Sequence, residues 1–439
     1  MKFQKVRGTA DFLPEVTEKW QFIEEKIQKI LAKYYFKEIR LPIFEQFELF
    51  ARGVGETSDI VSKEMYDFYD KGDRHLSLRP EGTAGVVRAY VENKIYGPEH
   101  HKPVKYYYTG PMFRFERPQS GRMRQFHQMG VEVYGSTNPA TDVETMALAM
   151  DIFKSFEIKD LSLVINSLGN TASRIAYREA LIEFLEPHFE ELSEDSQERL
   201  HKNPLRVLDS KDKKDQEIVK NAPSVLEYLD ENSKKNFEEV QEMLEMLDIS
   251  YEIDSNMVRG LDYYNDTIFE IMTNDPNFGA NTTICAGGRY DNLVEEVGGP
   301  QTAGIGFAIG LERLVMLLEA MDYNFPDRNN LDAFIVMIGE EANHEALKLV
   351  TELRKNGLKA EREFIGRKAK SQFKTADKLN AKLVFTLGSR EVENRTVNMK
   401  LLKTGKEVSL NLEDIYSDNF SKIYEEALIK LKSEDKNDD

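Results

Sequence analysis

The sequence has little of what builds disulfides or metal clusters. Cys285 is its only cysteine, which excludes an internal disulfide and a cluster of thiolate ligands and is typical of the reducing cytoplasm. The seven histidines are scattered, apart from the neighbours His100 and His101. We therefore predict a cytoplasmic protein without a metal site formed by its own side chains.

Long hydrophobic runs are also missing. No apolar stretch is long enough to span a membrane, and the first residues, MKFQKVRGTADFLPEV, lack the apolar segment of a signal peptide. With 41% hydrophobic and 31% charged residues the composition is that of a globular protein, and 439 residues exceed one ordinary core. The sequence predicts two or three domains and no membrane partner.

Basic residues are outnumbered over the whole chain, with 59 Lys and Arg against 77 Asp and Glu and a net charge of −18, but they are concentrated in one region. Between Arg354 and Lys403 there are fourteen Lys or Arg and five Asp or Glu, a local balance of +9. Such a region on an acidic protein fits a nucleic-acid-binding surface and a solvated face equally well.

Hydrophobic periodicity divides the chain into parts. Strand and helix patterns follow one another through residues 1–325, and a charged, helix-favouring segment at about 172–250 interrupts them. Residues 331–425 alternate as βαβαβ, which predicts a separate α/β domain, and residues 426–439 form a charged tail.

One predicted β-hairpin, MFRFERPQSGRMRQFHQMGVEVYG, is unusually polar. Strand alternation places Arg114 and Glu116 on one face of the first strand. In the second strand the residues that share one face are Phe126, Gln128, Gly130 and Glu132. This face is either the solvated side of a sheet or the floor of a binding site. Phe126 among charged residues, and the missing side chain at Gly130, favour a binding floor.

Two other places combine groups that bind polar ligands. Glu81 and Thr83 lie where a helix begins, so Glu81 either stabilises the first helical turn or binds an ammonium group. Arg259 precedes Tyr263 and Tyr264, whose phenols can hydrogen-bond a polar ligand. Each signal is weak alone, and their joint occurrence indicates a site.

The segment TAGIGFAIGLERLVMLLEAM predicts a strand that runs into a helix. Arg313, at the helix start, suits an anion, or it forms an ordinary ion pair with Glu312 or Glu319. The glycines between Gly304 and Gly310 do not have the spacing of a dinucleotide-binding fingerprint, so we predict no dinucleotide site there.

Together these segments resemble the motifs of class II aminoacyl-tRNA synthetases and, in detail, those of the histidyl-tRNA synthetase family. Motif 1 is matched by LPIFEQFELFARGVGETSDIV, with Pro42 at its dimer-forming position, motif 2 by the polar hairpin, and motif 3 by AGIGFAIGLERL. RGLDYYN and AGGRYD resemble the two signatures of the histidine enzymes, and VRGTADFLP resembles the opening of the family. A small departure is Asn292, where we expect glycine, although asparagine tolerates the left-handed conformation.

The resemblance implies an α+β fold. Residues 1–325 would form the antiparallel-sheet catalytic domain of class II with a helical insertion at about 172–250, and residues 331–425 an α/β anticodon-binding domain. It also implies that a homodimer, formed through the motif 1 region, activates L-histidine with ATP and transfers it to tRNA(His), with Mg²⁺ held mainly through phosphates.

The resemblance further implies roles for individual residues. Arg114 would hold the α-phosphate, Glu132 with Tyr264 would bind the imidazole, and Arg259 would lie against the reacting carboxylate and α-phosphate. The implied catalytic residues are therefore Arg259 and Arg114, and Arg259 has no packing role that the sequence reveals. The residues implied in ATP binding are Arg114, Glu116, Phe126 and Arg313. Those implied in histidine binding are Glu81, Thr83, Gln128, Glu132, Arg259, Tyr263, Tyr264 and Tyr290.

A non-catalytic relative is the alternative. The regulatory subunit of ATP phosphoribosyltransferase uses the same fold to sense histidine, and that class tends to lack the C-terminal domain and the arginines of the catalytic floor. Here Arg114, Arg259 and Arg313 are all present, and the terminal domain is whole, which favours the enzyme.

Overall fold

The structure, a computed structural model, describes residues 3–55, 58, 60–119, 121–279, 282–328 and 330–433. It separates into two compact units, and the division falls between Phe325 and Pro326. Among the helices of the described ranges, none is both long and apolar enough to cross a membrane.

The first unit consists of two sheets and the helices packed on them. Its strands are β1 (Lys37–Glu38), β2 (Phe44–Gln46), β3 (Tyr66–Tyr69), β4 (His75–Leu78), β5 (Val104–Phe113), β6 (Gln125–Tyr134), β7 (Leu161–Ser167), β8 (Tyr251–Ile253), β9 (Asn265–Thr273), β10 (Thr282–Arg289) and β11 (Gly304–Gly310). Its α-helices are α1 (Pro14–Lys33), α2 (Phe47–Val54), α3 (Thr83–Glu92), α4 (Pro139–Ser155), α5 (Thr171–Leu185), α6 (Glu194–Lys202), α7 (Leu205–Leu208), α8 (Lys213–Val219), α9 (Glu231–Met246), α10 (Leu293–Glu296) and α11 (Leu311–Ala320).

The main sheet has eight strands in the order β1-β5-β6-β11-β10-β9-β7-β8. Its pairs are antiparallel except for β1 with β5 and β7 with β8. β2, β4 and β3 form a separate antiparallel sheet. The α+β class and the antiparallel sheet predicted from the resemblance are therefore confirmed.

The alternation along β6 assigns its two faces to different environments. Met129, Val131 and Val133 belong to one core, which α1 and α4 complete. Tyr134 belongs to a second core on the other side of the strand, and Phe126 packs against that core. The polar residues of the hairpin thus share a face with an aromatic cluster.

Five helices, α5 to α9, leave the sheet after β7 and return to it at β8, and we call them the helical insertion. Asn170 caps α5 by accepting a hydrogen bond from the backbone N–H of Ser173 at 3.0 Å. The insertion has a small core of its own, in which Tyr177, Leu181 and Leu200 are buried.

The second unit contains a five-stranded sheet in the order β13-β12-β14-β15-β16. The strands are β12 (Ala333–Met337), β13 (Ala360–Arg362), β14 (Leu383–Leu387), β15 (Thr396–Leu401) and β16 (Glu407–Asn411). The helices are α12 (Ala342–Lys355), α13 (Ala369–Lys378), α14 (Ser389–Glu393), α15 (Leu412–Ile415) and α16 (Phe420–Lys432). The βαβαβ part is parallel, and β15 and β16 extend it with antiparallel pairs.

The last helix, α16, continues beyond residue 426, where the charged tail was expected to begin. Its residues Ala427 and Leu431 are buried on the core of the second unit, which holds this stretch in place. The rest of the expected tail, residues 434–439, lies outside the described residues.

Candidate active site

A cavity of about 1000 Å³ lies in the first unit and is lined by the main sheet, by the starts of α3 and α11, and by the helical insertion. Of the twelve predicted site residues, those on its wall are Glu81, Thr83, Arg114, Glu116, Phe126, Gln128, Arg259, Tyr263, Tyr264, Tyr290 and Arg313. The twelfth, Glu132, lies behind the wall and is 1% exposed. Residues that are up to 232 positions apart in the chain thus share one site.

Two residues on the cavity wall, Thr83 and Tyr290, hydrogen-bond the carboxylate of Glu132. Thr83 donates its hydroxyl to one carboxylate oxygen at 2.7 Å, and the Tyr290 phenol donates to the other. Burial raises the pKa of Glu132 to about 8, although both donors oppose the shift. Gly306 faces Glu132 across β6 and β11, and a Cβ there would lie 2.0 Å from its carboxylate, so only glycine fits.

The neighbours of Glu132 offer hydrogen-bonding groups in an aromatic setting. The rings of Tyr263 and Tyr264 lie 4.7 Å apart, and Tyr263 is 5.6 Å from Tyr290. Burial raises the pKa of Tyr264 to about 12, so its phenol remains a hydrogen-bond donor at neutral pH. The carbonyl oxygen of the Gln128 side chain is buried and has no hydrogen-bond partner among the described residues. It is an acceptor available to a ligand.

Glu81 is buried at the start of α3, where it accepts hydrogen bonds from the backbone N–H groups of Thr83 at 2.6 Å and Ala84 at 2.9 Å. Burial raises the pKa of Glu81, and the helical N–H groups lower it. Of the two alternatives for this residue, its contacts match the one in which it stabilises the first turn of the helix. The same carboxylate also lines the cavity.

The strand assignment around Arg114 is wrong. β5 ends at Phe113 and β6 begins at Gln125, so Arg114 and Glu116 lie in the loop between the two strands. Arg114 still donates its backbone N–H to the carbonyl of Arg124 across the hairpin at 2.9 Å, but the backbone N–H of Phe115 bonds the carbonyl of Glu64 at 2.7 Å, outside the hairpin. The loop still brings Arg114 over the cavity, with its guanidinium carbon 5.3 Å from the ring centre of Phe126.

Arg313 does not form the ordinary ion pair that the sequence allowed. It donates to the backbone carbonyl of Thr283 at 2.5 Å. Glu312 instead accepts hydrogen bonds from His127, and Glu319 pairs with Lys19. The Arg313 charge therefore faces the cavity without a carboxylate bound to it in the described structure.

Arg259 does have a structural partner, so the expectation that it has no packing role is wrong. Its guanidinium forms an ion pair with Glu270 on β9, and both side chains are less than one-fifth exposed. Glu270 also accepts a hydrogen bond from Thr283 at 2.7 Å. No sequence pattern pointed to Glu270, because it lies eleven positions after Arg259, across a change from loop to strand.

The close neighbour predicted at Gly130 is a side chain of the protein. Tyr108 faces Gly130 across β5 and β6, and a Cβ on Gly130 would lie 2.3 Å from the Tyr108 hydroxyl. A Cβ on Gly82 would lie 2.2 Å from a carbon of the same ring. Tyr108 lines the cavity and is 3% exposed, and sequence reasoning missed it because a strand tyrosine carries no distinctive pattern.

The AGGRYD segment ends β10 and leads into α10. Asn292 precedes that helix with φ of −95°, so it does not use the left-handed conformation that its side chain would tolerate. Arg289 of the same segment is buried and pairs with Asp142 on α4. This pair ties the segment to the core, and burial raises the pKa of Asp142 to about 6 despite the neighbouring guanidinium.

Comparisons with known proteins identify relatives over nearly the whole chain. The family model for "Histidyl-tRNA synthetase" matches residues 8–314, and the model for "Anticodon binding domain" matches residues 332–418. The histidine–tRNA ligase of Ligilactobacillus salivarius is 58% identical over 419 residues, which cover 95% of this chain and 97% of that protein. The histidine–tRNA ligase of Latilactobacillus sakei is 56% identical over 439 residues, which cover both chains completely.

A solved structure extends the agreement to the fold. The crystal structure of apo S. aureus histidyl-tRNA synthetase has a TM-score of 0.81 and 44% sequence identity, and the match covers 94% of this chain and 98% of that one. The chain belongs to the histidyl-tRNA synthetase family.

Proposed function

We propose that this chain is a histidine–tRNA ligase, which joins L-histidine to ATP as histidyl-adenylate and then transfers the histidyl group to the 3′-terminal ribose of tRNA(His). One observation carries the proposal: a buried carboxylate with aromatic neighbours adjoins a cavity that is lined by several arginines, among them Arg114, Arg259 and Arg313. The first part suits an imidazole, and the arginines suit a triphosphate. The full-length relatives named histidine–tRNA ligase favour this function over a non-catalytic histidine sensor.

In the proposed first step, an oxygen of the histidine carboxylate forms a bond to the α-phosphorus of ATP, and the bond to the departing pyrophosphate breaks. Both reactants are anions, so the protein has to neutralise and align them, and no side chain has to act as a nucleophile. Arg114 and Arg259 supply fixed positive charge from two sides of the cavity. In the second step the ribose hydroxyl attacks the carbonyl carbon of the adenylate, AMP leaves, and a phosphate oxygen accepts the proton.

Mg²⁺ would add positive charge to the phosphates of ATP. Glu270, a carboxylate on the cavity wall beside Arg259, is already paired with that arginine. This pairing supports the proposal that the ion is held mainly through phosphate oxygens. The cytoplasmic location remains a prediction from the sequence.

We propose tRNA as the partner of the second unit. Its basic region includes the segment around β13 and α13, in which Phe364 is 63% and Ile365 is 72% exposed. The guanidinium of Arg362 lies 5.1 Å from the Phe364 ring. Arg362 itself is buried, so the exposed Phe364 ring would stack on an unstacked RNA base, and other basic residues of the region would contact the neighbouring phosphates.

We propose a homodimer through the motif 1 region. The small sheet around β2 and β3 exposes several large apolar side chains, namely Ile43, Phe44, Phe68 and Tyr69, each at least 41% exposed. Clustered exposed apolar residues on a folded unit are typical of an interface. Size-exclusion chromatography with light scattering would measure the mass directly, and a monomer at micromolar concentration would contradict the proposal.

The function is tested by ATP–pyrophosphate exchange run separately with histidine and with several other amino acids. We expect exchange with histidine only, since a site that hydrogen-bonds both imidazole nitrogens rejects apolar isosteres by a factor of roughly 10⁴ or more. No exchange with histidine, or equal exchange with another amino acid, would overturn the proposal.

Deletion of the chain from Leu331 should leave histidine-dependent exchange measurable and reduce aminoacylation of tRNA by roughly 100-fold or more, because the basic unit supplies phosphate contacts. The two large cores of the first unit are built from residues up to Phe325, so the shortened chain should fold. The measurement compares exchange and aminoacylation in one preparation of the truncated protein. Normal aminoacylation would remove the assignment of the second unit to tRNA.

Histidine affinity should be level between about pH 6.5 and pH 8. Free imidazole has a pKa of about 6.5, and that of Glu132 is raised to about 8. In this window the free protein carries one proton on the Glu132 carboxyl, and the imidazole of free histidine is neutral. The bound pair also holds one proton, so binding neither takes up nor releases a proton and affinity does not change with pH. Above pH 8 a proton must be taken up, and below pH 6.5 one must be released, so affinity falls up to about tenfold per pH unit on either side.

Equilibrium dialysis of histidine between pH 5.5 and 9 measures these two limbs. Glu132→Gln is the matched control, because the amino group of the substrate titrates in the same way with either protein. An alkaline limb of equal steepness in both proteins would mean that Glu132 does not share the proton.

A further inference from the structure

The loop that carries Arg259, Tyr263 and Tyr264 spans residues 254–264 and contains neither a helix nor a strand. We call it the signature loop. It leads into β9, which pairs antiparallel with β7, and β7 leads into α5 of the helical insertion. The end of the signature loop and the start of the insertion therefore meet at one end of the sheet.

One arginine of the insertion holds the backbone of this loop. Arg174 on α5 donates to the carbonyl of Tyr264 at 3.0 Å and to the carbonyl of Asp262 at 3.3 Å. The two carbonyls flank Tyr263, so a single guanidinium fixes the backbone on both sides of that residue. These donors satisfy loop carbonyls that have no partner in a strand or helix ladder.

A second contact joins the insertion to the loop through Asp262. Asn203, which follows α6, donates to the Asp262 carboxylate at 2.9 Å, and the Asp262 backbone N–H bonds the carbonyl of Val54 at 3.1 Å. The Asp262 carboxylate lies so close to Gly55 that a Cβ there would be 2.1 Å from its oxygen. The loop is thus held between the insertion and the end of α2.

We propose that the helical insertion positions the signature loop, with Arg174 as the main positioning residue, so that histidine activation depends on the insertion even when no tRNA takes part. The inference rests on the proposed function, because it concerns the same site. Tyr263, Tyr264 and Arg259 have correct positions only when the backbone between them is fixed, and a displacement of about 1 Å in such a site can cost about 10²-fold in rate.

Arg174→Ala should raise the KM for histidine about tenfold or more in exchange without tRNA, while the KM for ATP changes less than about twofold. The physical reason is that the fixed carbonyls adjoin Tyr263 and Tyr264, which are implied in histidine binding, whereas the residues implied in ATP binding lie in the hairpin and at Arg313 on α11. Arg174→Lys should recover part of the loss, because an ammonium group can still donate to one of the two carbonyls.

Arg178→Ala is the matched control. Arg178 lies one turn further along α5 and donates to the carbonyl of His201, inside the insertion, at 2.6 Å. Its loss should leave the KM for histidine near the wild-type value. Equal values for the two alanine variants would overturn the inference, as would a parallel rise of the KM for ATP.

Asn203→Ala keeps the inference testable if Arg174→Ala does not fold by circular dichroism. It removes the contact with Asp262 and should also raise the KM for histidine selectively, whereas unchanged kinetics would contradict the positioning role. A wild-type protein without histidine-dependent exchange would instead refute the proposed function, so the two failures are distinguishable.

Discussion

Replacement of Arg259 by histidine should slow the formation of histidyl-adenylate by about 10² to 10³, the usual cost of losing one preorganised donor at a developing charge. Arg114 keeps its place over the cavity in this variant, so we expect histidine and ATP to bind with changes of a few-fold. Single-turnover adenylation and equilibrium binding of both substrates measure the two effects separately.

The ion pair with Glu270 adds a cost in stability that the sequence did not predict. Without Arg259, the largely buried Glu270 carboxylate keeps, among the described residues, the hydrogen bond from Thr283 alone, which should reduce the free energy of unfolding by about 1–3 kcal/mol. The variant should still fold, because the two large cores of the unit do not include this pair.

Glu270→Gln is the control that separates charge from packing. It breaks the ion pair but keeps the positive charge of Arg259, so its adenylation rate should fall much less than that of Arg259→His. An equal fall of the adenylation rate in both variants would show that the ion pair, and not the charge of Arg259, causes the effect. A fall of less than about tenfold in Arg259→His would show that Arg259 is not catalytic.

Glu132→Gln should raise the KM for histidine by roughly 10- to 100-fold, since a hydrogen bond to a charged acceptor contributes about 1.5–3 kcal/mol. The amide also replaces one carboxylate oxygen by an NH₂ group, so the hydroxyl of either Thr83 or Tyr290 must accept a hydrogen bond instead of donating one. The KM for ATP should change less than about threefold, because the proposed nucleotide contacts lie elsewhere on the cavity wall.

Binding of L-histidinol distinguishes the two variants. This compound keeps the imidazole and the ammonium group of histidine and lacks its carboxylate. Its affinity should fall in Glu132→Gln and stay near the wild-type value in Arg259→His. A wild-type KM for histidine in Glu132→Gln would show that the imidazole binds somewhere else.

Short-range pattern was enough to predict the two faces of β6. Side chains alternate along a strand, so Met129, Val131 and Val133 had to face one side, and they do form one core. The same rule failed beyond Phe113, where β5 ends and the backbone N–H of Phe115 bonds the carbonyl of Glu64 instead of the partner strand. Hydrophobic periodicity reflects only neighbouring positions, so it does not predict a contact with a residue far away in the sequence.

Long-range packing decided which side chains meet. The pairing of Arg259 with Glu270, and the ring of Tyr108 that fills the space over Gly130 and Gly82, depend on strands brought together by the sheet order. The raised pKa of Glu132 likewise comes from burial. None of these is a local property of the sequence.

By itself, the sequence determined the family, the α+β class and the residue types of the site, because motifs and hydrophobic alternation are written in neighbouring positions. The tertiary structure alone decided that Arg114 lies in a loop, that Arg259 has a carboxylate partner, and that Arg174 of the helical insertion donates to the backbone of the signature loop. The physical reason is that hydrogen bonds and desolvation act over a few ångströms of space, and only the folded chain brings residues 174 and 264 within that distance.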